Sequence, residues 1–164
     1  PTLDVQRYIT EECDGTPPDV VVFLLGINDC FSADPDNREA TDQRIDAVFE
    51  HAEVLLKAFR DAAPDADLAI CLTTPGNSRD EAFVANYDDR YPRWGWKRIQ
   101  HRLVEREIGQ FASRESERVF LVPTELNLDT TGGYPDDNAV HPNAAGYAQI
   151  AASVYGWLSA RLAK

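Results

Sequence analysis

Methionine is absent from this 164-residue chain, which opens on Pro1. Removal of an initiator methionine before proline leaves such a start, and so does cutting a piece from a longer chain. Long apolar runs are absent as well. Nothing approaches the roughly 20 residues that a membrane-spanning helix needs, and no charged-then-apolar leader opens the sequence. Positive charge is scarce: 16 Lys and Arg face 28 Asp and Glu, a formal net charge of −12. A surface of that sign disfavours nucleic acid and anionic membranes as partners. The acidic residues are spread along the chain, as on a solvated surface. Cysteine is sparse, and Cys13, Cys30 and Cys71 form neither a CxxC pair nor a metal-ligand spacing. Cys71, inside an apolar run, reads as a small buried hydrophobe. With no phosphate loop, dinucleotide fingerprint or metal cluster in the sequence, neither cofactor nor metal is expected. No repeat, low-complexity tract or linker interrupts residues 1–164, so one domain of ordinary globular composition (43% apolar, 27% charged) is expected.

What is present is organised around one stretch, Asp19-Val20-Val21-Val22-Phe23-Leu24-Leu25-Gly26-Ile27-Asn28-Asp29. An unbroken apolar run rich in β-branched residues, opened by Pro17-Pro18, predicts a strand over about residues 19–25 that is buried on both faces. Such strands build parallel sheets flanked by helices, with the chemistry at their carboxyl ends. Gly26 permits a tight turn there and puts Asn28 and Asp29 at the rim. Plain strand termination uses the same residue types.

The rest of the chain alternates. Val5, Tyr8 and Ile9 have the spacing of a short helix that Gly15 can end. Residues 30–40 read as a polar rim loop, and Thr41 as the N-cap of a helix carrying Ile45, Val48, Phe49, Ala52, Leu56 and Phe59 up to Pro64. A second buried strand covers residues 67–72 and runs out through Thr73–Ser78. Residues 79–96 show turn residues and aromatics without a clean period, which predicts a long irregular rim segment. Ile99, Leu103 and Phe111 mark a helix, residues 118–122 a third strand, residues 124–142 a loop, and residues 143–162 a last helix. Strand–helix alternation of this kind gives a parallel sheet with right-handed crossovers and helices on both faces. Three strands are few for an open α/β sheet, where about five or six are usual, so strands at the amino end are expected to be missing.

Two strand exits and the loop before the last helix converge on one sheet edge. The segment Asp136-Asp137-Asn138-Ala139-Val140-His141-Pro142-Asn143 brings a histidine there, with an amide and a carboxylate three and four residues earlier. Such a histidine serves as a general base when a polar group holds its ring; a helix-start histidine is the plainer reading. Gly26-x-Asn28-Asp29 after a buried strand, paired with His141-Pro142-Asn143 and Gly146-Tyr147 at the start of the last helix, resembles the SGNH (GDSL-like) hydrolase family.

That resemblance implies a three-layer α/β/α flavodoxin-like fold and a serine ester hydrolase acting on an acylated carbohydrate or other small ester. Asn28 would donate its amide to the oxyanion, and His141 would take the proton of a serine nucleophile. Asp29 becomes a structural partner. Gly26 and Asn77 fall at the substrate rim, and Trp94 and Trp96 read either as a substrate wall or as cover for one edge of the core. Secretion or a periplasmic setting is compatible with the resemblance. The pattern is broken in two places. Asn138 stands where the family has its aspartate, with Asp137 one residue earlier as a stand-in. No serine block precedes the first strand, and Ser32, Ser78, Ser113, Ser116, Ser153 and Ser159 lie in no nucleophile motif. The chain therefore reads as the carboxyl-terminal two-thirds of such a hydrolase, inactive alone, whose serine comes from a missing amino-terminal segment. A non-catalytic binding module on the same scaffold is the alternative. His51 and His101 read as surface residues.

Overall fold

The computed structural model describes residues 3–163. Helix α1 (Val5–Glu12) leads into strand β1 (Val20–Phe23), and the short helix α2 (Ile27–Cys30) follows. Helix α3 (Arg38–Ala62), strand β2 (Asp67–Cys71), helices α4 (Asp80–Tyr87) and α5 (Arg93–Phe111), strand β3 (Val119–Val122) and helix α6 (Ala144–Leu162) complete the order. The strands form one parallel sheet in the order β1-β2-β3, with Val21 opposite Leu68 and Leu68 opposite Val119. This is the α/β layering that the alternation predicts.

Side chains alternate across the strands, so each strand supplies two layers. Leu68 and Val119, with the half-buried Val21, Phe23, Ile70 and Leu121, face α1, α3 and α5 and meet Val5, Ile9, Ile45, Phe49, Leu56, Leu103 and Phe111. Each such side chain contributes roughly 1.5–3 kcal/mol when fully buried. On the other face Ala69, Cys71 and Val122 pack against Val154 and Trp157 of α6.

Contrary to what its apolar run predicts, strand β1 is not buried on both faces. Val22 is 46% exposed, Leu24 44% and Leu25 66%. The reason is width. A helix with its side chains is about 10–12 Å across and neighbouring strands lie about 4.8 Å apart, so α6 alone covers two strands. It lies over β2 and β3, which leaves the outer face of β1 open.

Helix ends follow local chemistry. Asn37, not Thr41, caps α3: its side chain accepts from the Ala40 N–H at 3.0 Å, while the Thr41 hydroxyl donates to the Asp34 carbonyl. Gly15, at φ +73°, follows α1, and its N–H reaches the Ile9 carbonyl at 3.0 Å. The segment 79–96, expected to be irregular, is instead mostly helical. Only Ala82 and Phe83 of α4 are buried, so no stripe betrays the helix. Asp88, at φ 50°, and Pro92, the N-cap of α5, make the break between the two helices. Among the described residues no helix is long and apolar enough to cross a membrane.

Candidate active site

The carboxyl edge of the sheet is assembled from three exits. At the first, Gly26 adopts φ +110° and is buried, turning the chain from β1 directly into α2. A side chain there would be strained by that backbone and would meet Val48 at 3.4 Å. The turn lifts Asn28 onto an exposed position at the rim. Cys30, one helical turn after Ile27, is fully buried, and burial pushes its thiol up to about 11, so it stays protonated and inert.

The second exit is the end of β2. Thr73 is buried, and its peptide is held from both sides by α5. The Glu107 carboxylate accepts from the Thr73 N–H at 3.0 Å and from its hydroxyl at 2.7 Å, while Gln100 Nε2 donates to the Thr73 carbonyl at 2.8 Å. Glu107 is only 3% exposed, and desolvation raises its pKa to about 7 despite the two hydrogen bonds from Thr73.

The third exit carries His141. Asn138 Oδ1 accepts from the backbone N–H groups of Val140 (3.2 Å) and His141 (2.9 Å). The side chain of Asn138 therefore shapes the turn, and among the described residues no side chain hydrogen-bonds the imidazole. The Asp137 carboxylate is exposed and does not reach the ring; its carbonyl accepts from Asn86 Nδ2 at 3.0 Å. Asn143 caps α6, accepting from the Gly146 N–H at 3.0 Å and donating to the Gly132 carbonyl at 2.9 Å. Gly146 is glycine because a Cβ there would collide with the Gly133 carbonyl. The His-Pro-Asn and Gly-Tyr pattern thus holds a helix start in place beside the histidine.

Asn28 and His141 line the same cavity, of about 180 Å³, with Thr73, Thr74, Trp96 and Tyr147 around them. Neither serine nor cysteine is among the residues that line it. Ser78 bonds Thr131 Oγ1 at 2.7 Å and Ser32 accepts from Arg44 at 3.1 Å, both outside this cavity. Trp96, 4% exposed, is at once cavity wall and core, packing near Phe31 and Phe83. Two expected rim residues are displaced. Trp94 is 56% exposed and faces outward, with the Arg93 guanidinium 4.1 Å over its ring. Asn77 is buried with both amide hydrogens engaged: Nδ2 donates to the carbonyls of Pro135 (2.9 Å) and Asn138 (3.0 Å), and Oδ1 accepts from the Arg79 N–H. It is not among the residues that line the Asn28–His141 cavity. Gly26 and Asp29 line a separate, apolar cavity of about 160 Å³ with Leu25, Phe49, His51 and Glu107.

Glu107, Thr73, Gln100 and Asn86 were not singled out from the sequence. Glu107 left a signal there: it continues the series Ile99, Leu103, Phe111 at four-residue spacing, a carboxylate on the apolar stripe of its helix. Among the described residues no His, Cys, Asp and Glu cluster suits a metal ion.

A family model described as the GDSL-like Lipase/Acylhydrolase family matches residues 2–149. Among solved structures, a protein from Streptococcus pneumonia described as a candidate platelet activating factor superposes with a TM-score of 0.60 at 18% identity, covering 93% of this chain and 67% of that one. A GDSL-like lipase candidate from Parabacteroides merdae gives a TM-score of 0.50 at 18% identity, over 91% of this chain and 64% of its own. At that identity the two structures speak to the fold. No curated protein matches this chain.

Proposed function

The chain belongs to the GDSL-like lipase/acylhydrolase family, and from that premise we propose that it carries half of a serine esterase site: the general base His141 and the oxyanion donor Asn28. The observation that supports this reading is their meeting in one cavity from exits far apart in the sequence. The nucleophilic serine is supplied by a segment outside residues 1–164. Two features favour that: the cavity has no serine or cysteine in its lining, and the outer face of β1 exposes Val22 and Leu24 beside it.

In the proposed reaction His141 takes the proton from the serine hydroxyl as the oxygen attacks the ester carbonyl. Asn28 Nδ2 donates to the oxygen that becomes negative, a contact worth roughly 3 kcal/mol to the transition state. The imidazolium then protonates the departing alcohol, and a water molecule, deprotonated by His141, releases the acid from the serine. Asn138 contributes through the turn it forms and not as a carboxylate. Trp96 supplies the flat apolar wall for a small ester, an acylated carbohydrate being the substrate class favoured by an aromatic face.

A non-catalytic binding module on the same scaffold is the second reading, favoured by the same empty roll of nucleophiles and by Asn138 in place of an acid. A fluorophosphonate probe decides between them. On the hydrolase reading the complete polypeptide is labelled at a serine outside residues 1–164 and His141→Ala abolishes labelling, whereas residues 1–164 alone neither label nor turn over p-nitrophenyl acetate. An intact protein that never labels would refute the hydrolase.

A further inference from the structure

We infer that Asn77 and Asn86 are positioning residues for His141, so that the imidazole is presented by a clamped main chain instead of by a carboxylate. The inference rests on the reading of His141 as general base and extends it to two residues outside the cavity.

The clamp involves consecutive peptides of the loop before the histidine. Asn77 Nδ2 donates to the carbonyls of Pro135 and Asn138, and the Asn77 N–H donates to the Ala139 carbonyl at 2.8 Å. Asn86, from α4, donates to the Asp137 carbonyl at 3.0 Å and accepts from the Ala139 N–H at 2.6 Å. Asn138 Oδ1 then takes the next two N–H groups, ending at His141. The carbonyls of residues 135, 137, 138 and 139 are all engaged, and the bonds come from two different parts of the fold, the β2 exit and α4. Amides suit this task because each side chain can donate and accept at once. A carboxylate at either position could accept only.

The need for such a clamp follows from what the ring lacks. Where a carboxylate bonds the imidazole it fixes orientation directly, but here no described side chain reaches the ring. Ring direction then depends on where the backbone of His141 sits. A displacement of about 1 Å costs on the order of a hundredfold in rate. Asn86 is exposed, and Asn77, though buried, does not line the Asn28–His141 cavity, so neither touches a substrate there. Their effect passes through the loop.

The test uses the complete polypeptide that contains residues 1–164 and needs no turnover. Amide hydrogen exchange is followed together with the ring signals of His141, assigned by their loss in His141→Gln. In Asn86→Ala, exchange at the Ala139 amide accelerates at least tenfold, the β2 amides of Leu68 and Ile70 stay within twofold, and the His141 ring signals move while those of His51 and His101 stay. Asn86→Asp keeps the acceptor for Ala139 and loses the donor to Asp137, so it retains Ala139 protection and shifts the ring less; it also serves if the alanine variant does not fold. Ring signals unmoved in both variants overturn the inference. So does acceleration of Leu68 and Ile70 by as much as Ala139, which marks a general loss of stability. The hydrolase reading fails separately, by His141→Ala leaving hydrolysis by the complete protein intact, and the exchange result is independent of that outcome.

Discussion

Glu107 should contribute its own pH dependence to the stability, and Glu107→Gln should remove that contribution. In the fold the carboxyl titrates at about 7, against an ordinary value of 4.5, because burial disfavours the charged form more than the two Thr73 hydrogen bonds favour it. A raised carboxyl pKa means that the folded state keeps its proton where the unfolded chain has released it. Below about pH 4.5 both states are protonated and Glu107 contributes no pH dependence. Between about 4.5 and 7 the unfolded state binds fewer protons, so stability falls as pH rises, and above 7 the loss is complete. The difference of about 2.5 units corresponds to roughly 3 kcal/mol, a large share of the 5–15 kcal/mol typical of a domain. Glutamine keeps the shape without titrating. The assay is urea unfolding of both proteins between pH 5 and 9. The stability of the variant minus that of the wild type should rise by about 2–3 kcal/mol across that range, most steeply near pH 6. The other titrating groups are common to both proteins and cancel in the difference. A difference that stays flat with pH would show that Glu107 is ionised in the fold and would refute the reasoning.

Other perturbations test other links. On the proposed hydrolase reading, Asn28→Ala in the complete protein should lower kcat on p-nitrophenyl acetate by about 10²–10³ with little change in KM, as expected for loss of an oxyanion donor; a change confined to KM would contradict that proposed role. Asn143→Ala removes the cap of α6 and should cost about 1 kcal/mol, read as a lower melting temperature. Val22→Glu should be nearly neutral in residues 1–164, where the side chain is 46% exposed; in the complete protein it should cost well over 1 kcal/mol if another segment covers that face, and equal small effects in both would count against the covering segment.

The sheet and its order of elements were legible because both signals are local. Unbroken apolar runs mark strands, and a period near four marks α3, α5 and α6 without reference to anything distant. The errors fall where local pattern and tertiary context separate. Val22 and Leu24 read as buried from their chemistry, yet burial depends on how many helices lie over the sheet, and α6 is wide enough for only two strands. α4 buries Ala82 and Phe83 and little else, so it leaves no stripe. The α3 cap moved from Thr41 to Asn37 because either side chain can cap, and the Asp34 carbonyl holds the Thr41 hydroxyl.

The site divides along the same line. Asn28 and His141 were legible as a pair through the short motifs flanking them, which together resemble those of the family, and both line one cavity. Which partner an amide chooses was not legible. Asn77 and Asn138 were both read as facing the chemistry, one toward substrate and one toward the imidazole, yet the structure gives both to the backbone. An amide at a loop has many neighbours that it can satisfy, and unpaired peptide groups in a half-buried loop cost roughly 1–3 kcal/mol each. Four carbonyls among residues 135–139 precede His141 and are bonded from α4 and the β2 exit, so the main chain's demand outweighs any pull from a single ring nitrogen. The same reasoning explains why an asparagine can stand where an acid is expected: Asn138 accepts two N–H groups in the turn, and a loop already held by Asn77 and Asn86 keeps its histidine in place without a negative charge beside it.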